Sequence, residues 1–344
     1  MIFVIILLGG KMKVLLYTEF EKQIGKSGLG KAIKHQMRAL EDNNIPYTTN
    51  SKDDYDIVHI NFYGPKSYKM AKKARKQGKK VIYHAHSTEE DFRNSFKFSN
   101  LIAPLFKWWI CKCYKLGDHI ITPTPYSKKL LEGYGLSNIT AISNGIDTKF
   151  FNRDDVLGKE FRKKYGYKDD DKVIMAIGLY LERKGILDFV ELAKLMPEYK
   201  FIWFGYTDLK LVPKKIKKAV TTKLPNLTFA GYVEPIMIKS ALSGSDLYLF
   251  PTLEETEGIP IMEACACKCK ALIRDIGVFE DWLEDSKNVY KAKNIKEFEI
   301  KIKKILNNEL PDLTNEGYKV AMSRDVKKVG KELIDVYKSV LEDN

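Results

Sequence analysis

The sequence predicts an α/β protein built from two doubly wound parallel-sheet domains that face each other across a cleft. Three observations carry that expectation. The chain has 344 residues, which suits about two domains of roughly 150 residues each. Apolar runs of strand length alternate with helical patterns throughout, as they do when helices cover both faces of a parallel sheet. The alternation lapses into a polar stretch after Ser143-Asn144-Gly145-Ile146-Asp147 and restarts at Lys172-Val173-Ile174. The expected divisions are residues 1–150, residues 151–320, and a final helical segment, 321–344, that packs back toward the first domain.

In chain order, the opening apolar run MIFVIILLGGK has no basic residue before it and no small-residue cleavage site, so a signal peptide is not expected. Lys13-Val14-Leu15-Leu16-Tyr17 reads as an ordinary first strand. Met12 is therefore the expected natural beginning, with a small apolar anchor as the alternative. Strands in the first half are expected at residues 13–18, 57–61, 80–85, 119–122 and 139–142, with helices between them. In the second half they are expected at 172–178, 200–204, 227–230, 246–250 and 270–274. The last helix is expected over residues 314–341, where Val320, Val326, Val329, Leu333, Ile334, Tyr337 and Leu341 form one apolar stripe. Two such domains create a crevice between the carboxyl ends of their sheets, and ligands bind there.

Composition narrows the class. A chain that is 44% hydrophobic and 30% charged can bury a sizeable core and is not low-complexity. Its apolar runs fall short of the ~20 residues that a membrane-spanning helix needs, which leaves surface attachment open. Five cysteines, clustered as Cys111/Cys113 and Cys265/Cys267/Cys269, do not make a disulfide framework and point to a reducing cytoplasm. They read as small buried hydrophobes rather than zinc ligands, and no metal site is expected. Asp54-Tyr55-Asp56 has the look of a metal-binding pair, but it directly precedes a strand and reads as its polar entry.

The net charge of +13 is lopsided. Residues 1–152 hold 24 Lys and Arg against 13 Asp and Glu, whereas the rest hold 34 against 32. The densest stretch is KSYKMAKKARKQGKK, residues 66–80, with Lys72, Lys73, Arg75 and Lys76 at its centre. Next comes FKFSNLIAPLFKWWICKCYK, residues 96–115, where aromatic and aliphatic residues, Trp108 and Trp109 among them, alternate with lysines. A basic, aromatic-rich half fits nucleic acid through phosphate contacts and stacking. It fits an anionic membrane surface equally, and a solvated helix face is the plain alternative. Composition leaves these open.

The chemistry is sharpest in Glu254-Glu255-Thr256-Glu257-Gly258-Ile259-Pro260-Ile261-Met262-Glu263-Ala264, which follows the strand 246–250 and opens a helix. Gly258 lets backbone approach a ligand, Pro260 suits a first helical turn, and the free amides around Ile259 form an anion site. Glu263 can accept hydrogen bonds from a ribose diol, and Glu255 from sugar hydroxyls. The competing reading is three surface acids on a loop.

This segment resembles the Glu, seven residues, Glu signature of the retaining nucleotide-sugar glycosyltransferases of family 4, which have the GT-B fold of two Rossmann-like domains. The likeness covers nearly the whole chain. Lys26-Ser27-Gly28-Leu29-Gly30 is similar to the family's glycine-rich turn, which implies that Gly28 and Gly30 face the donor diphosphate. KKVIYHAHS, residues 79–87, places His86 at a strand end where relatives keep a His against the donor sugar. Gly178 to Gly185 resembles the turn that brings two cations to the diphosphate. Leu179 stands where many relatives have Arg, so the roles pass to Arg183 and Lys184. Gly205, Tyr232 and Val233 match positions whose backbone holds the base, and Glu257 replaces the usual Phe before the glycine.

Longer runs, among them KSGLGKAIKHQMRAL, HAHSTEEDFRNSF, TPTPYSKKLLEGYG and EETEGI, resemble the bacterial diacylglycerol glucosyltransferases. That implies a nucleotide-sugar donor, UDP-glucose, and a lipid acceptor such as diacylglycerol at the inner membrane face, with His86 and Glu255 as catalytic residues. It also implies no cofactor or metal, since Arg183 and Lys184 supply the positive charge, and no nucleic-acid partner. The alternatives are the same fold acting on a soluble or polymeric saccharide, a nucleotide-sugar epimerase, and a basic nucleic-acid-binding protein.

Overall fold

The computed structural model describes residues 12–19 and 27–342, so the apolar start and Lys26 lie outside the described residues. The first sheet contains β1 (Val14–Tyr17), β2 (Tyr47–Thr48), β3 (Ile57–Ile60), β4 (Lys80–His84), β5 (His119–Thr122) and β6 (Ile139–Ala141), in the order β2-β1-β3-β4-β5-β6. The second contains β7 (Val173–Ile177), β8 (Lys200–Phe204), β9 (Leu227–Gly231), β10 (Leu247–Phe250), β11 (Ala271–Arg274) and β12 (Tyr290–Ala292), in the order β12-β11-β10-β7-β8-β9. Every pairing is parallel. Runs such as Ile57-Val58-His59-Ile60 and Leu247-Tyr248-Leu249-Phe250 are buried end to end, because helices cover both faces. The architecture is the expected doubly wound pair. Two short edge strands, β2 and β12, join the ten that the apolar runs marked.

Local polar groups set several element boundaries. Ser27 caps the helix Gly28–Glu41 by accepting from the Gly30 amide at 3.3 Å, and Thr124 and Ser127 form a reciprocal capping box at the start of Pro125–Gly133. At the entry to β3, Asp56 accepts from the Lys13 amide at 2.8 Å and Asp54 pairs with Lys79 at 3.1 Å, so the Asp-x-Asp pair is a strand entry. Cys113, Cys265, Cys267 and Cys269 are buried and free, Cys111 is half-buried, and burial pushes the Cys265 and Cys269 thiols up to about 12.

The chain end departs from the expected single helix. The segment forms two helices, Thr314–Ser323 and Val326–Glu342, broken at Arg324-Asp325. The apolar stripe is continuous in sequence but serves two cores. Val320 and Ala321 pack on the second domain, whereas Val326, Val329, Leu333 and Tyr337 join Val14, Leu16, Ala39 and Ile57 in the first. The interruption is a crossing point. The Ile146 amide donates to the Arg324 carbonyl, and the Val326 amide to the Ile146 carbonyl, both at 3.0 Å, so the outgoing and returning chains lie side by side. Gly145, with φ of +75°, turns the outgoing strand there. Gly330 seats the returning helix closely, since a Cβ at that position would lie 2.6 Å from the Ala39 carbonyl oxygen.

Leu333 is buried in the core shared by the last helix and the first sheet. Leu333→Ala is expected to cost about 2–5 kcal/mol, read as a lower urea midpoint of the first domain. An unchanged midpoint would mean that the last helix does not stabilise this domain.

A candidate active site between the two sheets

The signature segment is not a surface loop. Glu255, Glu257 and Glu263 are all buried, with the last fully enclosed, which removes the reading of three surface acids. Each is neutralised by a different part of the chain. Glu255 pairs with Lys184, accepts from the Thr252 hydroxyl at 3.1 Å, and lies 4.0 Å from the Arg183 guanidinium. Glu263 pairs at 2.6 Å with Lys31, which reaches across from the helix Gly28–Glu41 of the first domain. Glu257 accepts from the Ser143 hydroxyl, from the Asn144 amide at 3.0 Å and from the Asn144 side chain at 2.8 Å, with Arg324 at 3.6 Å. In place of an aromatic it carries a carboxylate that clamps both chain crossings. Burial pushes its carboxyl up, and Arg324 and the hydrogen bonds pull it back.

The two expected cations sit on the turn Glu182–Lys184, after β7. Arg183 donates from Nε to Ser95 Oγ at 2.8 Å and from Nη1 to the Glu254 carbonyl at 3.3 Å. Its carbonyl accepts from the Leu253 amide at 2.6 Å, which ties this turn to the signature loop. Burial lowers the Lys184 pKa as the largest effect, and Glu255 opposes it. Desolvated cations held by one carboxylate are poised to take a second anion.

Around them lie the other expected residues. Gly258 adopts φ of +91° and sits at the N-cap of Ile259–Ala266, with no side chain capping that helix, so the amides near Ile259 remain available. Glu263 Oε2 is buried without a hydrogen-bond partner among the described residues, a costly state unless a further group donates to it. A Cβ at Gly28 would meet nothing within 4 Å among the described residues, whereas Gly30 is buried within the helix and does not face the cleft as expected. Gly205, Tyr232 and Val233 follow β8 and β9 at the same sheet edge, and Tyr232 is exposed. His86 stands beyond β4 on the first-domain side, with Nε2 2.9 Å from Asn61 Oδ1, and desolvation by burial depresses its pKa to about 3.

Some participants had no distinguishing sequence signal. Lys31, one turn into the first helix, lies within a run noted for its glycines. Ser95 and Glu254 acquire their roles only when the two domains meet. Glu254 accepts from Tyr126 Oη at 3.0 Å, and the Thr256 carbonyl accepts from Thr124 Oγ1 at 2.9 Å, so the loop before the signature helix seals the cleft on the first domain. Glu89-Glu90-Asp91 forms a capped helix start in which Glu89 pairs with Arg93 and Lys107, and Glu90 with Tyr134. Among the described residues no group of three or more His, Cys, Asp or Glu side chains could hold a metal ion.

The expected surface residues are divided. Lys72, Lys73 and Lys76 are exposed on the helix Pro65–Lys76, but Arg75 is engaged by Asp118 at 2.9 Å and the Leu116 carbonyl at 3.0 Å. On the helix Ser99–Tyr114, Trp108 is 57% exposed, whereas Trp109 turns inward and donates from Nε1 to the Tyr63 carbonyl at 2.7 Å. Trp109 is therefore a packing residue. The exposed stripe is completed by Phe98, Leu101 and Leu105, at 77%, 79% and 65% exposure.

Family models match both halves of the chain: Glycosyltransferase Family 4 over residues 37–150 and Glycosyl transferases group 1 over residues 158–321. The chain is 41% identical over 333 residues to a processive diacylglycerol alpha-glucosyltransferase of Acholeplasma laidlawii, covering 96% of this chain and 99% of the relative. It is 23% identical over 285 residues to an alpha-galactosylglucosyldiacylglycerol synthase of Streptococcus pneumoniae, covering 80% and 75%. Among solved structures, Anabaena HepE in complex with UDP and glucose matches with a TM-score of 0.76 at 15% identity, covering 95% of this chain and all of that one, a likeness of fold.

Glu254 supplies a pH test. Burial raises its carboxyl to about 7, so folding favours the protonated form, and the stability this confers is lost as pH rises from about 4.5 through about 7. Glu254→Gln should therefore gain stability relative to the unmodified protein between pH 5 and pH 8, measured by urea midpoints. A constant difference would mean that the carboxyl is not desolvated.

Proposed function

Because the chain belongs to the family 4, group 1 glycosyltransferases, we propose that it transfers glucose from UDP-glucose to diacylglycerol at the inner face of the cell membrane, with the anomeric configuration retained. The observation that carries the donor side is the joined pair of loops at the cleft, where Arg183 and Lys184 are held by Glu255 beside the uncapped start of Ile259–Ala266. The lipid acceptor is supported by the diacylglycerol glucosyltransferase related along almost the entire chain.

In this reading the bond between the anomeric carbon and the diphosphate breaks. A bond from the same carbon to the acceptor oxygen forms on the same face, and the hydroxyl proton passes to the departing phosphate oxygen. Arg183, Lys184 and the amides near Gly258 and Ile259 stabilise the negative charge on the leaving diphosphate. Glu263 Oε2, which has no partner among the described residues, accepts from the ribose diol, and Glu255 and His86 orient the sugar. Protein cations supply the charge compensation, so the transfer should proceed with EDTA present. Gly205, Tyr232 and Val233 line the base, while Gly28 leaves room for the phosphates.

The lipid side is the apolar stripe of Phe98, Leu101, Leu105 and Trp108, flanked by Lys97, Lys107, Lys112 and Lys115. Phe98 holds φ of +63°, a strained conformation for a bulky residue that is mostly exposed. Tyr68 joins this stripe to the neighbouring basic helix, with the ammonium groups of Lys72 and Lys112 at 4.9 and 5.7 Å from its ring. Anionic headgroups would meet one continuous face on which each basic residue contributes about 1 kcal/mol.

Two experiments test this reading. Radiolabelled UDP-glucose incubated with diacylglycerol-containing anionic vesicles and EDTA should yield label in the organic phase. Glu255→Ala should lower that yield at least a hundredfold while the fold is retained. Label transferred only to soluble saccharides would reassign the acceptor, and unchanged turnover in Glu255→Ala would remove the sugar-site assignment. Separately, Leu101→Ala with Trp108→Ala, or Lys72, Lys73 and Lys76 reversed to Glu, should reduce sedimentation with anionic vesicles and leave UDP affinity within about twofold. Undiminished sedimentation would mean that this face is merely solvated.

A further inference from the structure

Behind His86 lies a polar network that the transfer reaction does not explain. His59, at 0% exposure, is in β3, and His84 closes β4. His86 follows two residues later, and the His84 and His86 rings stack at 4.0 Å between centroids. Asn61 follows β3, Gln36 comes from the helix Gly28–Glu41, and Tyr337 comes from the last helix, Val326–Glu342. Gln36, Asn61, His84 and Tyr337 are buried. A sheet core seldom spends this many polar side chains without a use for their orientation.

Followed from the two amides, the hydrogen bonds run in one direction and leave a single buried donor, the His84 Nε2–H, without a partner among the described residues. The Asn61 amide donates from Nδ2 to Gln36 Oε1 at 2.9 Å, and Gln36 Nε2 donates back to Asn61 Oδ1 at 2.8 Å. The second Nε2 hydrogen of Gln36 goes to His84 Nδ1 at 2.9 Å, which makes that nitrogen an acceptor. His59 Nε2, 3.1 Å from the same nitrogen, competes with Gln36 for its single lone pair, and on the other side of that ring His59 Nδ1 lies 2.6 Å from Tyr337 Oη. On the other branch Asn61 Oδ1 can only accept, so His86 Nε2, 2.9 Å away, must carry the proton. A neutral imidazole has one N–H, and desolvation keeps this ring neutral. His86 Nδ1, which has no partner among the described residues, is left as a lone pair.

We infer that Gln36 and Asn61 are positioning residues that lock His86 as the Nε2–H tautomer, so that its Nδ1 accepts a hydrogen bond from a hydroxyl of the donor sugar. Gln36 is the node, because its two hydrogens fix both branches and its helix also carries Lys31 to Glu263. The inference rests on the proposed place of His86 at the sugar, and it adds which ring nitrogen faces the sugar and what sets that choice.

The test uses the full-length protein with 15N-labelled histidine, His86 being assigned by its loss in His86→Gln. The imidazole spectrum should show His86 protonated at Nε2 alone. UDP-glucose should shift its Nδ1 resonance, and UDP should not. Asn61→Ala should release the tautomer to a mixture and lower kcat about tenfold or more, with UDP affinity within about twofold. If that variant fails to fold, Gln36→Met preserves volume while removing both donors, and the same spectral change is expected. His86 protonated at Nδ1 in the unmodified protein, a tautomer unchanged in a folded variant, or an Nδ1 resonance that UDP-glucose leaves in place would each overturn the inference. The tautomer is read without any acceptor, so this failure is distinct from an absence of label in the organic phase, which would fall on the proposed reaction instead.

Discussion

Three carboxylates within nine residues, Glu255, Glu257 and Glu263, are withdrawn from water, and the architecture of the cleft follows from the need to neutralise them. An isolated buried carboxylate is costly, and removing one partner of a buried pair is more damaging than never having had the pair. The chain answers with Lys184 from the same domain, Lys31 from the opposite one, and Arg324 from the returning crossover, with Ser143 and Asn144 adding hydrogen bonds from the outgoing one. The signature segment is thus the junction at which four parts of the chain meet. Its helix start has no side-chain cap among the described residues, since the neighbouring acids are engaged elsewhere.

The same bookkeeping explains why both domains are needed for one site. Lys31 and Gln36 sit on one helix, five residues apart, and face Glu263 and the histidine network respectively. Tyr337 links that network to the last helix, which follows the second domain in sequence and packs on the first in space. Donor-side and sugar-side groups are therefore connected through side chains as well as through the cleft. Ser95, which holds Arg183, lies three residues before the strained Phe98 at the start of the exposed apolar helix, so a diphosphate-binding cation and the lipid-facing surface share a short stretch of backbone.

Much of this was legible in the sequence for physical reasons. Strands buried on both faces must be nearly continuous apolar runs, and ten such runs stood out; Tyr47–Thr48 and Tyr290–Ala292 were too short to show a pattern. The final helix was misread because apolar spacing records only that a face is buried, not which core buries it, and Arg324-Asp325 interrupts the helix without a proline or glycine. Trp108 and Trp109 were indistinguishable by type, and only the fold shows that Trp109 turns inward to the Tyr63 carbonyl while Trp108 is exposed. The spacing of Glu255 and Glu263 pointed to their segment. The significance of Lys31, Asn61 and Gln36 depends on which strand ends the topology places together, and no local pattern encodes that.

The paired crossing of the two lobes has a mechanical consequence. Ile146 and its neighbours Arg324 and Val326 are hydrogen-bonded where the chain leaves the first lobe and returns, so the two covalent tethers behave as a pair of pins set next to each other. Pins so placed resist sliding and shear but allow swing about the line that joins them. Glu257 accepts from Asn144 on one pin and lies beside Arg324 on the other, so a single buried carboxylate bridges the joint.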